Sequence, residues 1–301
     1  MSPNGNNPND GGEHPSDTRP FLCIPYWTAP ITADPKWDTG QDRPLPSEVV
    51  SYACESIHTS AYTPGQPLDV TVDVRNSGGG NSAAIATVAV YWADPTVGFA
   101  RPTFFAASAV AVPPSRNAAR SMSTPTMRAT IPTTAPAHIC LVVAVSHPQD
   151  RAPTACAPND RHWAQRNLQA VPVAVGAPAI IPVMAATPFD VGQSFELQIG
   201  PVDERRALLV AREFQTQPSG VEARMRLLDA QGAPASGEGQ RIRTSIELGP
   251  LDQRQFQLLI EIDSDVPKGH SAAVEAELFD QTEERRLVGS LGVVLLGPEP
   301  D

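Results

Sequence analysis

The stretch Leu68-Asp69-Val70-Thr71-Val72-Asp73-Val74-Arg75 alternates apolar and polar side chains for eight residues. Successive side chains of an extended chain point to opposite faces, so this spacing predicts a β-strand with one buried face. Asn76 to Ser82 follows, with Gly78-Gly79-Gly80 inside it, and reads as a loop. Working outward, further strands are expected over residues 85–92, 104–112, 118–131 and 167–175. Asp94-Pro95 and Pro113-Pro114 stop two of them. Ile139-Cys140-Leu141-Val142-Val143-Ala144-Val145 is apolar throughout, which suits a central strand covered on both faces. Short strands separated by turn signals predict an antiparallel β-sandwich over residues 47–175.

A boundary is expected at Val175-Gly176-Ala177-Pro178. Beyond it seven runs read as strands: 194–199, 207–214, 221–228, 241–248, 256–262, 272–279 and 287–296. Asp229-Ala230-Gln231-Gly232 between two of them is a hairpin-type turn. The run at 207–214 has a second reading. Ala207, Leu208 and Ala211 fall on one side of a helix spanning 204–215. The strand is the expectation, and residues 176–301 are assigned to a second sandwich of immunoglobulin size. The fold class is therefore all-β: two tandem immunoglobulin-like sandwiches preceded by an N-terminal arm, residues 1–46.

Composition agrees. The 301 residues include 32 Pro, and interior prolines remove helix hydrogen bonds. Hydrophobic residues make up 41%, enough for a core. No apolar run reaches the ~18 residues of a membrane helix, so membrane insertion is not expected. The net charge is −11, which repels phosphate backbones and argues against a nucleic-acid partner. The charge is uneven: residues 1–175 hold 11 basic and 13 acidic side chains, residues 176–301 hold 11 and 20. That asymmetry fits two domains with different surfaces. The first twenty residues lack a basic stretch followed by an apolar run. Synthesis in the cytoplasm without a secretory signal is the expectation, with later release as part of a particle left open. Cys23, Cys54, Cys140 and Cys156 are too few for a disulfide scaffold, and thiols are expected in a reducing compartment. Bridges Cys23–Cys54 and Cys140–Cys156 are the alternative after release.

The arm is polar over residues 1–20 and reads as flexible. Residues 21–46 set Phe21, Leu22, Ile24, Tyr26, Trp27 and Trp37 among prolines. Such aromatics demand a surface to cover, on this chain's own domain or on a partner. Phe21, Tyr26, Trp27 and Trp37, together with Trp163, are the expected interaction residues.

Residues 47–175 resemble the bacterial CARDB-like, adhesion-related immunoglobulin-type modules. The likeness rests on Leu68 to Arg75 followed by Asn76 and glycines, on Val90-Tyr91-Trp92-Ala93-Asp94-Pro95, on His138-Ile139-Cys140-Leu141, and on Trp163-Ala164-Gln165-Arg166-Asn167-Leu168. It implies a module without an active site that serves as a spacer, adhesin or assembly part. The paired cysteines of antibody domains are absent, since the strand at 68–75 carries none.

The best chemical cluster is His138, Cys140, His147, Cys156 and His162. These are residue types that zinc prefers, but their spacing matches no standard zinc knuckle. The expectation is a core cysteine with histidines at loop ends, and no metal or cofactor. Asn159-Asp160-Arg161-His162-Trp163 is either a recognition patch at a loop tip or a loop folded on its own side-chain hydrogen bonds, and the second is expected. Asp263 and Asp265 are expected to be solvated and not calcium ligands. Gly78-Gly79-Gly80 lacks the Gly-Lys-Ser/Thr ending of a phosphate loop, and no Gly-x-Ser-x-Gly or His-Glu-x-x-His occurs. The function expected is a non-enzymatic structural or interaction protein, a subunit of a larger assembly such as a phage-like or contractile injection particle. Two other classes stay open. One is a carbohydrate- or ligand-binding adhesion module stacking its ligand on Trp27, Trp37 or Trp163; the other is a metal-dependent enzyme at the His/Cys cluster.

Overall fold

The computed structural model describes residues 18–28, 37–115, 120–153 and 156–297. In its first half the strands are β1 (Leu22–Cys23), β2 (Ile57–Thr59), β3 (Pro67–Asn76), β4 (Ala84–Ala93), β5 (Thr96–Val97), β6 (Thr103–Val112), β7 (Met122–Ser123), β8 (Met127–Thr130), β9 (Cys140–Ser146) and β10 (Trp163–Arg166). In its second half they are β11 (Leu168–Pro172), β12 (Ala179–Ala186), β13 (Gln193–Pro201), β14 (Gln217–Pro218), β15 (Ala223–Asp229), β16 (Pro234–Gly239), β17 (Ile242–Leu248), β18 (Gln253–Ile262), β19 (His270–Asp280) and β20 (Leu287–Leu296). One helix, α1 (Glu204–Glu213), lies between β13 and β14. The chain is all-β in class and divides into two compact units.

The first unit has two sheets. In one, β3 is central and pairs with β1, β2, β7 and β8. The other runs in the order β10-β9-β4-β6. The alternation in β3 does what its spacing predicts: Leu68, Val70, Val72 and Val74 are buried and the residues between them are half-buried. β9 is buried from Cys140 to Val145, as expected of a strand covered on both faces. The expected run at 118–131 begins outside the described residues and then splits. Pro125 separates β7 from β8, because a proline cannot donate to the ladder.

Residues 21–27 belong to the core of this unit. β1 pairs with the end of β3, Leu22 opposite Asn76 and Cys23 opposite Arg75. Asn76 Oδ1 accepts from Phe21 N at 3.0 Å, and Ser77 N donates to Phe21 O at 2.8 Å. Gly78 explains its residue type here. A Cβ on it would lie 2.7 Å from Phe21 N, so only glycine lets the incoming chain pass.

The second unit also has two sheets. One runs β11-β20-β19-β13-β17, with β14 added to β19. The other runs β16-β15-β18-β12-β5. Their inner faces share one apolar core that includes Phe195, Leu227, Phe256, Leu258, Leu278 and Leu291. The hairpin at 229–232 forms as read: Gly232 N donates to Asp229 O at 3.0 Å, and Asp229 Oδ1 accepts from Gln231 N and Ala233 N at 2.9 Å.

Three expectations are corrected. Residues 167–175 do not complete the first sandwich. β11 pairs in parallel with β20 of the second unit, and residues 93–101 and 138–140 join that unit as well. The expected strand at 207–214 is instead the helix α1, Glu204–Glu213, with Phe214 as its C-cap. Asp203 caps α1 by accepting from Arg206 N at 2.8 Å, and Glu204 sits in the first turn, where a carboxylate faces the positive end of the helix dipole. β12 was not among the expected strands, which began at 194 in this half, and it contains Pro182. It is tolerated since β5 covers only Met184 and Ala185, so at Pro182 the strand is paired with β18 alone.

Candidate interaction face on the four-stranded sheet

β4, β6 and β9 contain no charged residue. In β4, Ala86, Val88 and Val90 point into the core and are buried, so Ile85, Thr87, Ala89 and Tyr91 take the outward face. Their partners on β6 are Ala111, Ala109, Ala107 and Phe104 in turn. The register slips between Val90 and Tyr91. A bulge of this kind re-aims side chains, and it puts Phe104 directly across from Tyr91. The rings meet edge to face with centroids 5.8 Å apart. Trp163 of β10 lies tilted on the other side of Tyr91 at 6.3 Å. Its Nε1 donates to Pro153 O at 3.0 Å, which fixes the indole. A row Trp163–Tyr91–Phe104 therefore crosses the sheet. Phe104 is 59% exposed and Ile85, on the same face, 60%.

Most of the expected interaction residues lie elsewhere. Phe21, Tyr26 and Trp27 are at most 2% exposed and cannot anchor a partner. Apolar side chains this large gain more from the unit's own core than from waiting for another surface. Tyr26 Oη accepts from Gln165 N at 3.1 Å, and burial holds its hydroxyl proton well above the usual range. Its backbone N donates to Asp38 Oδ2 at 2.8 Å, and the same carboxylate binds Arg43 Nη2 at 2.9 Å. Trp37 is half-buried, with the Arg75 guanidinium 5.5 Å from its ring centroid. Only Trp163 reaches the outward face just described. Phe104, Tyr91 and Ile85 were not foreseen. The available signal was that 85–92 and 104–112 carry large apolar side chains in both phases of their alternation.

The His/Cys cluster does not converge. In the second unit Cys140 Sγ donates to Asn167 Oδ1, and Asn167 Nδ2 donates to Thr96 O and Ser290 O. Burial pushes His138 down to about 4, against a hydrogen bond with Asn167, so its ring is neutral near pH 7. In the first unit Cys156 accepts from Asn159 Nδ2 at 3.0 Å, and His147 Nδ1 accepts from Gln149 N at 3.2 Å. His162 is held at both ring nitrogens, by Asp160 Oδ1 at 2.8 Å and Asp150 Oδ1 at 3.0 Å. A histidine so engaged has no nitrogen left to take a proton from a substrate. Among the described residues no three His, Cys, Asp or Glu side chains are placed to share a metal ion. All four cysteines are buried thiols. Burial raises the thiol of Cys54 to about 12 and those of Cys23 and Cys140 further, which removes the thiolate a nucleophile needs. Residues 159–163 form a loop closed on its own groups: His162 N donates to Asp160 Oδ1 at 2.8 Å and Trp163 N to Asp160 O at 3.2 Å. Asp265 Oδ1 accepts from Val175 N at 3.3 Å.

No protein-family model matches the chain, and no curated protein matches it. Among solved structures it is similar to the CupB6 tip adhesin from Pseudomonas aeruginosa, with 10% identity, 81% of this chain and 94% of that one covered, and a TM-score of 0.25. The collagen adhesin CNA from S. aureus gives 8% identity, 81% and 93% covered, and 0.23. CfaE, the adhesive subunit of the CFA/I fimbria of enterotoxigenic Escherichia coli, gives 8%, 83% and 85% covered, and 0.26. What those proteins adhere to does not transfer to this chain.

Proposed function

We propose that this protein is a non-enzymatic binding module that holds a protein partner on the charge-free aromatic face of its four-stranded sheet. The observation that carries this reading is the ordered row Trp163–Tyr91–Phe104 beside exposed Ile85, with Ile85, Tyr91 and Phe104 on β4 and β6, strands that have no charge. Protein interfaces are depleted of charge at their centres and enriched in aromatic residues, and a few buried aromatics carry most of the binding energy. The resemblance of residues 47–175 to CARDB-like modules, which serve as spacers, adhesins or assembly parts, runs the same way. Phe21, Tyr26 and Trp27 of the arm have no place in this reading, because their rings fill the first unit's own core.

Affinity capture from the source cells tests it. The wild-type chain should retain a defined partner, and the double variant Phe104→Ala, Trp163→Ala should lose it by more than ~2 kcal/mol while keeping its β-rich spectrum. Equal retention by the variant overturns the reading. A carbohydrate ligand is the second reading, supported by the fixed, half-open indole of Trp163. Glycan binding that vanishes on Trp163→Ala, with no protein captured, would establish it instead.

A further inference from the structure

We infer that the second unit carries, on the outward face of β13, β17 and β19, a small site for the zwitterionic head of an α-amino acid, with the carboxylate on Arg241 and Arg243 and the ammonium on Glu277. Ile199, Ile242 and Ala276 face the core, so their neighbours Gln198, Gly200, Arg243, Glu275 and Glu277 face outward. The register sets these in two rungs. Arg243 stands across from Gln198, and Gln198 across from Glu277. In the next rung Glu275 stands across from Gly200. Arg241 reaches that rung from the other side: its Cγ and Nη1 are 3.3 and 3.4 Å from where a Cβ on Gly200 would stand. Between the two walls lies an open cavity of about 30 Å³, lined by these residues and Pro201.

The walls differ in sign. Among the described residues neither Arg241 nor Arg243 is in an ion pair, so both guanidiniums offer donors to an incoming carboxylate. On the opposite wall Arg206 of α1 engages both oxygens of Glu275 at 2.8 Å and Oε1 of Glu277 at 3.2 Å. Glu277 Oε2 is left to accept from another donor. Gln198 directs Nε2 to Glu196 Oε1, so its own carbonyl oxygen is an acceptor as well. The Glu275 and Glu277 side chains are only 12% and 16% exposed although the face is outward, and a charge shielded from water attracts its counterpart more strongly. Charge and size select the ligand. A carboxylate alone would face Glu277, and an ammonium alone would face Arg241 and Arg243. A ligand carrying both meets the opposite charge on each wall. One water needs about 10–15 Å³ of such volume, so the cavity seats about two groups of that size. The two charges must therefore sit on one carbon, as in an α-amino acid, and the side chain must leave through the open side. Discrimination between side chains is then weak. This inference goes beyond the proposed function, since Trp163, Tyr91 and Phe104 take no part in it.

Titration of the full chain with glycine, followed by amide nitrogen–proton spectra, is the test. Shifts should saturate in the millimolar range, the affinity open to a ligand of so few atoms, and centre on residues 198–201, 241–243 and 275–277. L-alanine should bind like glycine. N-acetylglycine, which lacks the ammonium, and glycinamide, which lacks the carboxylate, should each bind roughly tenfold more weakly or worse, the cost of leaving one wall unmet. Arg243→Gln and Glu277→Gln should weaken glycine binding by the same factor while amide shifts in the rest of the chain stay native. Gly200→Ala, which puts a methyl group into the cavity beside the Arg241 side chain, should abolish it. An absence of saturable shifts, equal binding of either single-charge analogue, or an unchanged glycine affinity in either charge variant overturns the inference. The variant Phe104→Ala, Trp163→Ala should bind glycine like wild type, so loss of a protein partner at the aromatic face and loss of glycine here are separate results.

Discussion

The Arg161 guanidinium lies 3.8 Å from the centroid of the Phe21 ring, and its Nη2 binds Asp150 Oδ1 at 2.5 Å. Asp150 Oδ2 accepts from Leu22 N at 2.6 Å, so one buried carboxylate ties the 21–27 segment to the loop before β10. Phe21→Ala is expected to destabilise the first unit by ~3–5 kcal/mol, the usual cost of emptying a buried aromatic site. Urea unfolding followed by tryptophan fluorescence measures it. Deletion of residues 1–46 should leave that unit unfolded, and a truncated chain with native fluorescence would refute the assignment of the segment to the core.

Asp150→Ala should cost a similar amount, ~3–5 kcal/mol, because Arg161 and His162 both lose the carboxylate that balances them in a buried site. Asp150→Asn should recover little, since an amide offers one acceptor and no charge. Both are read from the same unfolding curves.

His162 predicts the direction of one pH effect. Burial pulls its pKa down, but the hydrogen bonds its ring donates to Asp150 and Asp160 outweigh this and leave it above the ordinary 6.5. A histidine raised on folding contributes stability that is fully present below the unfolded value and is lost as pH rises through the folded one. The stability advantage of wild type over His162→Gln should therefore be largest on the acid side of that window and shrink above it. Nitrogen chemical shifts of the ring should show both nitrogens protonated in most molecules at pH 6.5, where an unperturbed histidine is half deprotonated.

Glu275 supplies a second titration. Burial first, then the neighbouring Glu277 charge, raises it to about 7, although Arg206 Nη1 reaches both its oxygens at 2.8 Å. That single guanidinium also serves Glu277 at 3.2 Å. A carboxyl raised on folding favours the native state while protonated. Wild type should lose stability relative to Glu275→Gln as pH rises from about 4.5 to about 7, with the gap constant beyond. A gap that stays flat across that range would show that Arg206 holds Glu275 ionised.

Gly289→Ala should destabilise the second unit by ~1–3 kcal/mol or more. A Cβ at Gly289 would stand 2.6 Å from Gly98 Cα, backbone that has no rotamer with which to yield. Gly232→Ala meets no atom within 4 Å but strains a backbone at φ 83°, so its smaller loss separates strain from collision.

Strand identity was legible because period-2 alternation is a local property, complete within eight residues such as 68–75. The same locality hid the binding face. Ile85, Tyr91 and Phe104 look like ordinary strand residues until the register and the bulge set them on one outward surface with Trp163. The helix at 204–213 was within reach of the sequence through Asp203 and the run of helix formers after it. The preference for a strand followed the surrounding pattern and not the cap.

Local spacing thus fixed the class of this protein, all-β with buried alternate residues, since side-chain direction in a strand needs no distant partner. Tertiary structure alone decided which sheet each strand joins. β11 left the first sandwich for β20 because its ladder is completed more than a hundred residues later. The aromatics of 21–27 were drawn inward by Asp150, 128 positions from Leu22. Burial is decided by contacts of that kind, and no window along the chain contains them.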